Sequence, residues 1–77
     1  MTNMYIRLHT IEDVRKFVNI VTASDCEMDL TSGRYIVDAK SIMGIFSLDL
    51  LSPILLTIHG EPTADLLQAL QPFKAEK

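Results

Sequence analysis

Met4, Ile6 and Leu8 alternate with Tyr5, Arg7 and His9, the period of two that gives a strand one buried and one open face. From Ile11 the period lengthens. Ile11, Val14, Phe17, Val18 and Val21 recur at helical spacing, with Glu12, Asp13, Arg15, Lys16 and Asn19 on the other side, so a first helix follows directly. Thr10 stands at the junction with Asp13 three residues later, the arrangement in which a hydroxyl caps the open amides of a helix start.

The period of two then returns. Cys26, Met28 and Leu30 alternate with Glu27, Asp29 and Thr31, and Ser32-Gly33-Arg34 offers a short turn before the apolar run Tyr35-Ile36-Val37; together these predict a hairpin. The stretch from Ser41 to Leu50 is apolar and Ser41 suits an N-cap, but Gly44 and the shortness of the stretch limit it to a turn or two of helix. Pro53 closes that region, and Ile54 to Ile58, ending at His59-Gly60, reads as a fourth strand. Last, Pro62 fits the first turn of a helix whose stripe is Leu66, Leu67, Leu70 and Phe73, stopped by Pro72 and the charged tail.

The order is therefore β-α-β-β-α-β-α, an α+β chain in which helices on one face of an antiparallel sheet would bury every apolar stripe at once. Tyr5, Arg7, Glu27, Asp29, Thr31, Thr57 and His59 fall out of phase with that core and predict a polar open face on the sheet. No linker, repeat or low-complexity stretch interrupts the pattern, and one domain over residues 1–77 is expected.

Composition narrows the function classes. The chain is 48% apolar and 22% charged with a formal charge of −3, values of a folding domain rather than a disordered one. Its seven basic residues are scattered, so the positive footprint that phosphate backbones demand is missing and nucleic acid is not expected as a ligand. No apolar run approaches a membrane span, and the first residues lack the basic, apolar, small-residue succession of a signal peptide; the expected location is the cytosol. Cys26 is the only cysteine, which rules out an internal disulfide or a cysteine-based metal site. Its phase with Met28 and Leu30 marks it as a small buried hydrophobe. His59 has no second ligand at metal spacing, so no metal and no cofactor are expected. A self-contained enzyme is not expected either, for lack of a nucleophile-base pair and of a glycine-rich phosphate loop.

The string Lys40-Ser41-Ile42-Met43-Gly44-Ile45-Phe46-Ser47-Leu48 resembles the regulatory serine segment of the histidine-containing phosphocarrier proteins (HPr) of the bacterial sugar phosphotransferase system. In that family a serine opens a short apolar helix with a near-identical Ile-Met-Gly run. The element order, the Phe17-Val18 pair and the overall length extend the likeness over nearly the whole chain. It implies an HPr-like open-faced β-sandwich, a four-stranded antiparallel sheet with three helices on one face.

The family's active histidine begins helix one in a Gly-Leu-His-Ala/Thr-Arg-Pro motif, against which this chain offers Arg7-Leu8-His9-Thr10-Ile11-Glu12. Matching Leu8-His9-Thr10 to the motif makes His9 the phosphohistidine and needs a one-residue insertion before Phe17. Counting back without a gap from Ser41 and Phe17 places Thr10 there instead. Neither register recovers the motif's arginine, proline or glycine. The first turn carries Glu12 and Asp13, which suit a bare helix start but repel a phosphoryl group that open amides and a cation would otherwise hold.

At Ser41 the resemblance implies regulatory phosphorylation by the HPr kinase/phosphorylase, with Ile42, Met43, Ile45 and Phe46 as the docking patch, some of them shared with the core. An N-cap role accounts for the same serine without regulation. Phosphate there would meet helix-start amides able to receive it. Three readings stay open: an HPr-like regulatory or interaction module acting through Ser41; a divergent carrier passing phosphoryl groups from an Enzyme I-like donor through His9; and an assembly protein dimerising through an exposed sheet edge.

Overall fold

The computed structural model describes residues 1–76. Four strands, β1 (Thr2–Ile6), β2 (Glu27–Ser32), β3 (Tyr35–Asp38) and β4 (Ile54–His59), form one antiparallel sheet in the order β1-β4-β2-β3. Three helices, α1 (Ile11–Thr22), α2 (Ile42–Phe46) and α3 (Ala64–Leu70), complete the expected order, and a tight 3-10 turn over Gln71–Phe73 follows α3. The architecture is the α+β open-faced sandwich that the resemblance implied.

The periodicities explain the layering. Ile6 of β1, Met28 and Leu30 of β2, and Ile54, Leu56 and Ile58 of β4 are all buried on one sheet face. Val14, Phe17 and Val21 of α1, Ile45 of α2, and Leu66 and Leu70 of α3 close over them. Phe17 and Phe73 meet edge to face, with ring centroids 6.0 Å apart and planes at 79°, an arrangement that aligns the positive ring edge with the negative ring face.

Both sheet edges are defined by what lies beyond them. The outer side of β1 is clasped by the C-terminal segment: the Arg7 amide donates to the Phe73 carbonyl at 2.8 Å, the Ala75 amide donates to the Tyr5 carbonyl at 2.8 Å, and Ile6 bridges Lys74. No strand of the described residues lies beyond β3.

The β2-β3 hairpin turns on two residues, with Ser32 paired to Tyr35 and Gly33 at φ +60°. A positive φ at the first central position is the type II′ requirement that glycine meets at least cost. Gly33→Ala introduces no contact, since nothing lies within 4 Å of the added Cβ. Its expected cost is the backbone term alone, about 1 kcal/mol, read as a lower urea midpoint at unchanged m-value; an unchanged midpoint contradicts it.

Two local expectations are corrected. Ile11 is exposed rather than part of the buried stripe, because the stripe that meets the sheet begins one turn later, at Val14. Pro62 stands outside α3, whose cap is Thr63, with Oγ1 accepting from the Leu66 amide at 3.1 Å. Tyr35 and Ile36 of the expected hairpin are exposed, because β3 is an edge strand with one neighbour.

Candidate functional site

The start of α1 is built by a change of period. Leu8 continues the buried phase of β1 and is 1% exposed, so the next residue, His9, is turned out to solvent. Thr10 is the N-cap, at φ −133° and ψ 165°. Its Oγ1 accepts from the Asp13 amide at 3.0 Å, and Asp13 Oδ2 accepts from the His9 amide, also at 3.0 Å. This is a reciprocal lock of the capping-box kind, displaced so that the carboxylate returns to the residue before the cap. His9 therefore precedes the cap, and Thr10 occupies the helix start where the ungapped register puts the family's histidine.

The electrostatics at this end are those of an occupied site. A carboxylate already satisfies the His9 amide, and Glu12 shares the first turn with Asp13. Both favour the unmodified helix through its dipole and oppose a further negative charge. Arg7, the cation nearest to His9 in sequence, is half-buried and tied through its amide to Phe73, and its Nε is buried without a hydrogen-bond partner among the described residues.

The start of α2 is a second, separate arrangement. Ser41 is its N-cap, with Oγ accepting from the Gly44 amide at 3.2 Å, while its own amide donates to the Asp38 carbonyl at 3.0 Å. The Lys40 ammonium, one residue earlier, donates to the Ser24 carbonyl at 2.8 Å, just beyond the C-terminus of α1. His9 precedes the other end of that helix, which at 12 residues is about 18 Å long. The two candidate phosphoryl acceptors thus lie toward opposite ends of α1 and form no common centre.

Gly44 lets α2 settle closely against the sheet. A Cβ at this position would stand 3.2 Å from Val37 Cβ and 3.3 Å from Ser41 Oγ, so its absence also leaves the serine hydroxyl room. Of the expected docking patch, Met43 is 77% and Phe46 43% exposed, and Ile42 is half-buried against the core. Ile45 is a correction: it is fully buried and belongs to the core. A one-turn helix lying on a sheet must turn one position inward, and the string of apolar letters does not say which.

The open sheet face is less polar than its phase predicts. His59 Nε2 lies 2.8 Å from Asp29 Oδ2, and Thr57 pairs with Asn3 and Asp29. Next to that polar row, however, Tyr5, Leu55, Thr31 and Ile36 are partners in register across all four strands. Leu55 and Ile36 were hidden because both sit in runs of consecutive apolar residues, where alternation gives no signal. Cys26 is half-buried, with Sγ 3.6 Å from the Glu61 carbonyl oxygen. Among the described residues no group of three His, Cys, Asp or Glu side chains could hold a metal ion, and no helix is long and apolar enough to cross a membrane.

No protein-family model and no curated protein matches the sequence. Solved structures do match. The chain is similar to HPr-C-His from Thermoanaerobacter tengcongensis, with a TM-score of 0.75 and 24% identity over 91% of this chain and 86% of that one. It is also similar to the phosphocarrier protein HPr from Bacillus anthracis, with a TM-score of 0.71 and 25% identity over 96% and 94% of the two chains.

Proposed function

We propose that this chain, a divergent HPr-like domain, serves the phosphotransferase system as a regulatory or interaction module working from the Ser41 end of α2, and no longer as an efficient phosphohistidine carrier. The observation that carries the reading is the lock at the head of α1. The His9 amide is engaged by the Asp13 carboxylate and the Asp13 amide by the Thr10 hydroxyl, and the neighbouring first-turn charge is negative. Ser41 is supported differently: its hydroxyl caps a helix start, and Met43 and Phe46 stand exposed beside it, an apolar pair of the type that anchors a partner.

The partners of this reading are an HPr kinase/phosphorylase acting on Ser41 and a cytoplasmic regulatory protein that reads the phosphoserine. A phosphate on Ser41 exchanges a hydroxyl acceptor for stronger ones at the same amides, so the helix start tolerates it. The competing reading, a working carrier, draws on the solvent exposure of His9. A neutral imidazole facing water is able to take a phosphoryl group.

Two parallel incubations decide between them. With ATP and HPr kinase/phosphorylase, intact mass should show one phosphoryl group that is stable to acid and absent in Ser41→Ala. With phosphoenolpyruvate and Enzyme I, no rapid acid-labile adduct should form. An adduct from the second reaction that disappears in His9→Ala establishes the carrier instead, and failure of the first reaction removes the kinase from the reading.

A further inference from the structure

The free edge of β3 has a pattern that its neighbour β2 does not use. The Ala39 amide donates to the Met28 carbonyl at 3.0 Å. With Ser32 paired to Tyr35 and Leu30 to Val37, that bond fixes the parity of the ladder. Tyr35, Val37 and Ala39 direct their backbone groups to β2, and Ile36 and Asp38 direct theirs outward. Ile36 is 68% exposed, and its side chain lies on the open face opposite Thr31. Arg34, the second residue of the hairpin turn, and Asp38, the last residue of β3, flank it two residues either way, and both are exposed. Among the described residues Arg34 makes no hydrogen bond or ion pair, while Asp38 uses one carboxylate oxygen to accept from the Lys40 amide at 2.9 Å.

A sequence with a cation two places before a centre and an anion two places after it is its own complement when laid antiparallel. We propose that β3 pairs with β3 of a second copy of this chain, two-fold about Ile36. Ile36 then exchanges both backbone hydrogen bonds with Ile36 of the other copy, and Arg34 faces Asp38 across the seam twice. Isologous contacts require such self-complementarity, and directly opposed unlike charges stabilise a strand pair where like charges break it. The two sheets become one of eight strands, and the row Tyr5, Leu55, Thr31 and Ile36 runs on into its own mirror order in the second copy. Strand β1 offers no equivalent, since its outer edge at Tyr5 and Arg7 is already taken by the C-terminal segment. The proposal is independent of whether Ser41 is phosphorylated.

The test uses the charge code itself. Sedimentation of the intact chain across micromolar to millimolar concentration should show a monomer-dimer equilibrium that weakens with added salt, as expected for exposed ion pairs. Arg34→Asp and Asp38→Arg each place like charges at both ends of the seam, and each alone should raise the dissociation constant about tenfold or more. Mixed together, the two variants restore both unlike pairs, so a heterodimer should return near parental affinity, as should the homodimer of the double exchange. Circular dichroism confirms that the single variants remain folded. A parent chain that stays monomeric throughout overturns the proposal. So does a dimer that survives both single reversals, which would lie on another surface, and so does failure of the mixture to re-associate.

Discussion

Phe17→Ala is expected to lower the stability of the domain by about 3–5 kcal/mol, the usual cost of emptying a buried aromatic site. Phe17 has no exposed surface, and its ring is the one that meets Phe73 edge to face. The substitution therefore removes both the packing of α1 on the sheet and the contact holding the C-terminal turn. Against a total of roughly 5–10 kcal/mol for a domain of this size, most of the margin disappears. Thermal unfolding should move down by about 15–30 °C. Ile11→Ala, on the same helix but exposed, is the control and should stay within about 0.5 kcal/mol of the parent. A Phe17→Ala protein that unfolds within a few degrees of the parent refutes this account of the core.

Converting the head of α1 should have the largest chemical effect. In a variant carrying Glu12→Arg and Asp13→Ser, the His9 amide is released from its carboxylate and a first-turn anion becomes a cation. Each helix-end charge is worth about 0.3–1 kcal/mol and a charge-assisted hydrogen bond about 1.5–3 kcal/mol. The phosphorylated state should gain enough to raise labelling by phosphoenolpyruvate and Enzyme I about tenfold or more. Acid-labile mass at equal time points is the readout, with His9→Ala added to the variant as the blank. Serine at 13 keeps a short polar side chain, so α1 should persist in circular dichroism. Labelling that stays at the parent level with α1 intact means that acidic occupation of this site is not what limits transfer.

The sequence carried the fold because each buried stripe is written in the period of its own element. Ile6 and Leu8, then Val14, Phe17 and Val21, then Met28 and Leu30 are legible in the sequence as one core, and all are buried. The cap at Thr10 and the cap at Ser41 were legible for the same reason, since a short hydroxyl before an apolar helical run has few other uses. Periodicity fails where apolar residues run together. In Tyr35-Ile36-Val37 and Ile54-Leu55-Leu56 every position is compatible with burial, and only the strand order decides that Ile36 and Leu55 face outward. In Ile42-Met43-Gly44-Ile45-Phe46 the same ambiguity concealed the inward turn of Ile45. Asp13 posed a different difficulty. As a helix-start anion it was readable, but its reach back to the His9 amide depends on the path by which Leu8 enters the core.

The clasp on β1 also governs when this molecule can close. Both neighbours of β1 come from late in the chain, β4 at Ile54–His59 on one side and Phe73 to Ala75 on the other. Strand β1 must therefore wait for β4 and then for Phe73 to Ala75 before both its edges are satisfied. Long-range closure of this kind slows folding and leaves Met4, Ile6 and Leu8 as the segment a chaperone would meet during synthesis. Arrival of Phe73 to Ala75, rather than formation of any one helix, then sets the moment at which the sheet locks.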